Sequence, residues 1–355
     1  MSYFVRQSAK AQAEFANLQT AAQQAALSRT IGDLPGSFTT KCIRGATYWY
    51  YQFKDASRNT RQIYLGPESS PATMDFVQKG KNAPSSAQHL KLLSQVAQVA
   101  GCYVMPRAHG SIIKRLADHA FFHAGGVLIG THAFLAYQNM LGLRWAPEQA
   151  TMTNDMDFAH PGNKMSIAIP SGITSDTHEA LKSLEMGFLP NAAGTTYVKA
   201  DEADLQLDFV TCRTGKDESP IECDALNVKL QPLRFMELSM EGVLVTVVMT
   251  PSGPVVVNVP APERFALHKL LIVHERPAEL TTKRNKDLDQ VACLFSYFEA
   301  NDPETLSEMA AEVRSYGRGW ASALDKGLTM LQRAHPQIDV GLAMQAAPTP
   351  RPPGG

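Results

Sequence analysis

Asp155 and Asp157 lie two apart in the segment TNDMDFAH, where polar and apolar residues alternate. Such alternation marks a β-strand, in which residues i and i+2 share a face roughly 6.5–7 Å apart. Carboxylates on one face converge on hard divalent cations, which take oxygen ligands. Two such ions clamp the attacking and leaving oxygens of a phosphoryl transfer. An Asp-x-Asp triplet alone is a weak signal, because it equally describes two solvated strand carboxylates. Two features add to it. Asp208, in DLQLDFVT, sits between Leu207 and Phe209 in a second alternating segment. An acid there is costly unless it lies at an edge or is paired, and a cation relieves the repulsion among three carboxylates. Upstream, GGVLIGTHAFLAYQNMLG leads through glycines into an apolar helical stretch. Gly130 and Thr131 offer backbone N–H groups and a hydroxyl to phosphates at a helix start, with Gly125 and Gly126 as the alternative. The same glycines also fit a plain turn with close helix packing.

Other chemistry-bearing residues carry less. His119 and His123 are spaced for one helix face, but no Glu base and no third ligand accompany them, so capping or surface roles outweigh zinc. No P-loop, GxGxxG or GxSxG occurs. Tyr48, Trp49, Tyr50 and Tyr51, with Arg44, Lys54, Arg58 and Arg61 nearby, fit either a stacking platform for RNA or an ordinary strand with one core face and one solvated face. Lys283, Arg284 and Lys286 are a phosphate-facing patch or a helix surface.

Positioning these residues takes a mixture of helices and strands. An amphipathic helix is expected within residues 4–30, with Phe4, Phe15, Leu18, Ala22 and Ala25 recurring. A β-hairpin follows, turning at KDASRNT. Helices are expected at 85–100, with Leu90, Leu93, Val96 and Val99 or Ala100 inward, and from about Ser111 to His123. SDTHEALKSLEMG starts a helix at Ser175 or Asp176 and stops at Gly187. Strands near 194–200 and 204–211 precede a second hairpin turning at Pro251 to Gly253. Beyond Pro262 the pattern is helical to about His335, and AAPTPRPPGG reads as a disordered tail. The division is therefore a helix-and-hairpin extension (1–110), a core (111–260), a helical region (261–336) and a tail (337–355).

Composition sets the limits. The chain has 355 residues, 44% hydrophobic and 19% charged, enough to bury a core. A formal net charge of −1 excludes a surface coated in Lys and Arg, although a local basic cleft remains open. The five cysteines form no CxxC pair, as expected of reduced thiols in a cytoplasm. MSYFVRQSAK has no signal pattern, and no apolar run reaches the length of a membrane span.

The order of Gly-rich turn, helix, Asp-x-Asp strand and later Asp resembles the polymerase-β nucleotidyltransferase superfamily. The nearest likeness is to a bacterial family of nucleotidyltransferase-fold proteins, carried by GGVLIGTHAFLAYQNMLG, DMDFAH, SLEMGFLPNAAGTTYVKADEADLQLDFVT and HKLLIVHER…KRNKDLDQVACLF. More distantly, the chain is similar to nucleotidyltransferase toxins of the AbiE type. The resemblance implies an α+β fold with a mixed sheet, an N-terminal helix/β-hairpin extension and a C-terminal helical region. It implies Mg²⁺ or Mn²⁺ on Asp155, Asp157 and Asp208 as the catalytic carboxylates. It places Gly130, Thr131, Lys269, Lys286 and Asp287 at the nucleotide. The interval from Gly130–Thr131 to the Asp pair is longer than the family's usual spacing, through LRWAPEQAT. The implied reaction moves a nucleoside monophosphate from a nucleoside triphosphate to a hydroxyl on RNA, protein or a small molecule. A catalytically inactive nucleotide-binding or RNA-binding module is the alternative.

Overall fold

The computed structural model describes residues 2–27, 36–54, 60–82, 86–162, 173–199, 202–213 and 215–348. The N-terminal part runs β1 (Phe4–Arg6), α1 (Ala9–Leu27), β2 (Gly36–Ile43), β3 (Ala46–Lys54), β4 (Thr60–Pro67), α2 (Pro71–Asn82) and α3 (Ser86–Val99). The central part follows with α4 (Arg107–Asp118), β5 (Val127–Ile129), α5 (Gly130–Met140), β6 (Leu143–Trp145), α6 (Glu148–Thr151), β7 (Met156–His160) and α7 (Thr177–Lys182). It continues through β8 (Phe188–Pro190), β9 (Thr196–Lys199), β10 (Glu202–Cys212), β11 (Ile221–Cys223), β12 (Val228–Leu233), α8 (Met236–Met240), β13 (Leu244–Thr250) and β14 (Gly253–Val259). Helices α9 (Pro262–Val273), α10 (Thr281–Asn301), α11 (Pro303–Ser315), α12 (Arg318–Ala334) and α13 (Gly341–Gln345) complete the chain.

The expected α+β architecture with a mixed sheet is what forms. The main sheet has the order β11-β12-β10-β7-β5, with β8 and β9 joined through β10. β10 lies parallel to β7 and β12 and antiparallel to β9, while β5 and β7 are antiparallel. The period-2 pattern explains why. Met156, Phe158, Leu207 and Phe209 are fully buried on one face, with Phe158 stacked on Phe209 and Phe121 edge-on to Phe158, and this leaves Asp157 and Asp208 on the other. α7 begins as its sequence dictates, with the Asp176 carboxylate accepting the Glu179 N–H at 2.9 Å. No helix among the described residues is long and apolar enough to cross a membrane.

Several expectations change. Phe4 stands in β1, paired antiparallel with β6, rather than in the first helix, and the helix expected from about Ser111 to His123 runs Arg107–Asp118. The N-terminal hairpin is a three-stranded sheet, β2-β3-β4, because Arg44 and Gly45 both take positive φ (51° and 83°) and turn β2 into β3. The expected turn at KDASRNT falls largely outside the described residues. On α3, Leu90, Leu93 and Ala100 pack inward as expected, but Val96 and Val99 are exposed, Val99 at 88%, and Ser94 and Ala97 take the buried positions. The boundary between 260 and 261 is no break in the core. Phe265 of α9 packs on Phe134 and Tyr137 of α5, and the Tyr137 hydroxyl donates to the Pro260 carbonyl at 2.8 Å. Finally, the segment from 337 is not a disordered tail throughout. Ile338, Val340 and Ala343 are buried, and Arg314 donates to the carbonyls of Ala343, Met344 and Ala346 around α13. Three apolar residues ahead of the Pro-rich end suffice for that docking.

Candidate active site

The site forms where β5 ends and β7 begins, alongside the middle of β10 and against α5 and α10. Asp157 and Asp208 are direct register partners on parallel strands, so their carboxylates share a face. Ile129 pairs with Asp157 on the other side, and the chain then turns from β5 into α5 at Gly130. Gly130 has φ 59°, and a Cβ there would lie 2.0 Å from Asp157 Oδ2. The glycine thus does two things at once: it accepts a left-handed backbone and leaves room for the carboxylate. α5 starts from Ile129 with no side-chain cap, so no side chain takes its first-turn N–H groups in that role.

Asp155 stands just ahead of β7. Its Oδ2 is 2.9 Å from Lys283 Nζ at the start of α10. That hydrogen bond is the main reason the Lys283 ammonium holds its proton more tightly than usual. Asp208 Oδ1 accepts from the Thr196 hydroxyl at 2.6 Å, because β9 places Thr196 opposite Asp208. Asp157 has neither aid. Burial, and then the Asp208 charge, push its pKa from 3.8 up to about 6, against the opposing pull of Lys269 and Lys286.

Among the described residues no three His, Cys, Asp or Glu side chains already form a metal cage. The donor chemistry nonetheless fits Mg²⁺ or Mn²⁺ in their usual mode of one or two carboxylates plus substrate phosphates. Asp157 and Asp208 offer adjacent oxygens and repel each other, and Asp155 is held close by a partly exposed lysine.

The other predicted residues arrange themselves in two ways. Thr131 is buried, and its hydroxyl accepts from Gln290 Nε2 at 3.1 Å; Gln290 also donates to the Ala150 carbonyl. The bond ties the first turn of α5 to α10. Lys269 is buried too, with Nζ 2.5 Å from Asp287 Oδ1, while Arg276 Nε lies 2.5 Å from Asp287 Oδ2. Burial alone would raise the Asp287 pKa, but Lys269 and Arg276 together hold it below the ordinary carboxylate value. Asp287 therefore organises two cations rather than meeting an anion itself. Lys286 is half-buried and 3.4 Å from the Met152 carbonyl. Burial, and then Lys269, lower its pKa, while the Asp157 and Asp155 charges raise it.

Sequence reasoning missed Thr196, Arg276 and Gln290. Gln290 left a trace, since with Asp287 it puts polar groups at i and i+3 on the buried side of an apolar helix. Thr196 left none, because its role depends on which strands pair.

The sequence model of a family described as Nucleotidyltransferase matches residues 107–315, from the first residue of α4 to the last of α11. That is more than half of the chain, and it contains every site residue named above. No curated protein and no solved structure matches. On a fold of mixed sheet and helices, with its paired strand carboxylates inside the matched span, this chain belongs to the nucleotidyltransferase family, transferases whose substrate is a nucleoside triphosphate.

Proposed function

We propose that the chain transfers a nucleoside monophosphate from a nucleoside triphosphate to an acceptor hydroxyl, in a divalent-metal-dependent reaction centred on Asp157, Asp208 and Asp155. The observation that carries this reading is the direct pairing of Asp157 with Asp208 beside Gly130. These carboxylates would hold Mg²⁺ or Mn²⁺, which would supply charge neutralisation for the triphosphate. The chain's own groups do the rest. The first turn of α5, from Gly130 and Thr131, presents N–H groups to the phosphates. Lys286 and Lys283 add positive charge, and Asp287 fixes Lys269 and Arg276 behind them. Asp208 takes the acceptor proton on the carboxylate oxygen that Thr196 does not occupy. The acceptor oxygen then bonds to the α-phosphorus, the α–β bridge breaks, and pyrophosphate leaves with its electron pair.

The test is label transfer. Each α-labelled nucleoside triphosphate is incubated with the protein, Mg²⁺ or Mn²⁺, and a cell extract. The expected result is stable label on an acceptor, absent with Asp157→Asn and absent in chelator. Label that persists unchanged in Asp157→Asn, or none with any nucleotide, removes this reading.

A further inference from the structure

The sheet β2-β3-β4 has two unlike faces. Phe38, Trp49 and Tyr51 share one of them, and α2 covers it. Tyr51 is 3% exposed, Phe38 meets it edge-on at 4.9 Å, and Lys81 of α2 sits 4.2 Å over the Trp49 ring. Thr73 of α2 is packed against Gly66, the register partner of Trp49. Of the described helices, α2 is the one that meets this sheet at more than isolated points.

Alternation sends Tyr48, Tyr50 and Tyr64 to the opposite face. Tyr50 and Tyr64 lie 5.5 Å apart and Tyr48 and Tyr64 6.1 Å apart, with Tyr64 54% exposed. Three neighbouring aromatic rings on the sheet face away from α2 are not explained by packing among the described residues. The polar residues among them share one character. Lys41 stands 4.9 Å over Tyr50 and also bonds Gln62, and Gln62 donates to Gln52 at 2.8 Å. Thr39 faces Tyr50 across the strands. Between residues 36 and 82 the chain carries seven Lys or Arg against three Asp or Glu, whereas its whole net charge is −1. The segment thus carries a net positive charge in sequence, and Lys41 brings a cation onto the tyrosine face itself, whereas Lys79 and Lys81 belong to α2.

We propose that this face docks single-stranded RNA, with unpaired bases stacked on Tyr48, Tyr50 and Tyr64 and the phosphates drawn by Lys41 and the net positive charge of the segment. Aromatic rings on a flat sheet take bases that a duplex keeps stacked internally. Gln52, Gln62 and Thr39 supply donors and acceptors for 2′-hydroxyls and base edges, which favours RNA over DNA. Identifying this RNA as the acceptor rests on the transfer reaction proposed above; the docking itself does not.

The test uses the full chain and a labelled oligouridylate of about 12 nucleotides, read by fluorescence anisotropy without nucleotide or metal. The double variant Tyr50→Ala/Tyr64→Ala is expected to weaken binding by roughly ten- to a thousandfold. Tyr50→Phe/Tyr64→Phe keeps the rings and is expected to stay within about threefold of wild type. Divalent-dependent triphosphate binding, measured in parallel by calorimetry, is expected to be equal in all three proteins. That arm reports on the transferase site alone, so its failure and the failure of docking are distinguishable. Equal anisotropy for wild type and the Ala variant overturns the proposal, as does absence of binding by wild type. Tighter binding of the matching DNA strand or of duplex RNA overturns the assignment to single-stranded RNA.

Discussion

Replacing Gly130 with alanine isolates the contact on which the carboxylate geometry depends. Two costs arise. One is conformational: a non-glycine residue at φ 59° is strained by about 1–2 kcal/mol. The other is steric: the new Cβ would sit 2.0 Å from Asp157 Oδ2, 2.8 Å from Cγ and 3.1 Å from Cβ. Attractive contact between such atoms begins near about 3.5 Å, so the carboxylate must retreat by more than about 1 Å. Misplacement on that scale costs roughly a hundredfold in rate. Gly187→Ala separates the two effects, because Gly187 has φ 77° and nothing within 4 Å of its Cβ position. Urea denaturation should show Gly187→Ala destabilised by the conformational cost alone and Gly130→Ala by at least as much. Label transfer and divalent-dependent triphosphate binding should fall about a hundredfold in Gly130→Ala and stay near wild type in Gly187→Ala. Equal activity in the two variants would falsify the claim that Gly130 makes room for Asp157.

Further outcomes follow from the charges. Asp157 titrates near 6 in the folded chain against 3.8 ordinarily, so between those values the native state holds a proton the unfolded state has lost. Metal-free stability should thus fall as pH rises through this window, by at most about 3 kcal/mol, and stay flat above it; Asp157→Asn should remove that slope in thermal melts while abolishing transfer. Divalent-ion affinity should weaken as pH falls through about 6, because the cation must displace a proton from Asp157, and an affinity unchanged down to pH 5 would sink the assignment. Lys269→Met leaves Asp287 buried with Arg276 alone, so denaturation should register a loss of about 3–5 kcal/mol; a smaller loss in Lys269→Met/Asp287→Leu is the diagnostic comparison. Lys283→Gln should cost under about 1 kcal/mol in stability, since Lys283 is half exposed, yet weaken triphosphate binding in calorimetry.

The carboxylates and strands were legible because they follow period-2 alternation, a local signal. Phe158 and Phe209 demand one face, and Asp157 and Asp208 inherit the other. The helix from Gly130 was equally local, announced by glycine before an apolar run. What stayed hidden depends on pairings between distant segments. No local pattern tells that Thr196 lies opposite Asp208, or that Gly130 abuts Asp157 rather than only phosphates. The same holds for Lys269. Sequence shows a lysine among apolar residues, which fits a cation snorkelling to solvent or one turned into a cleft. Only the position of Asp287 on α10 shows a third outcome, a buried ion pair.

The two ion-pair systems around the carboxylates differ in a way that matters for turnover. Lys269 and Asp287 are 9% and 2% exposed at their side chains, and Arg276 completes the set. Breaking such a pair strands a charge in low dielectric, so these groups keep their places while substrate comes and goes. Lys283 and Asp155 are 52% and 26% exposed, where water screens the attraction and an ion pair contributes about 1 kcal/mol or less. In the proposed reaction a triphosphate and its cation would offer each of these two groups a stronger partner than the other does. The exchange would therefore cost little: Asp155 would turn from an ammonium to a divalent ion, and Lys283 from a carboxylate to a phosphate. A buried, fixed pair behind an exposed, exchangeable one would let α10 serve both the stability of the site and its response to substrate.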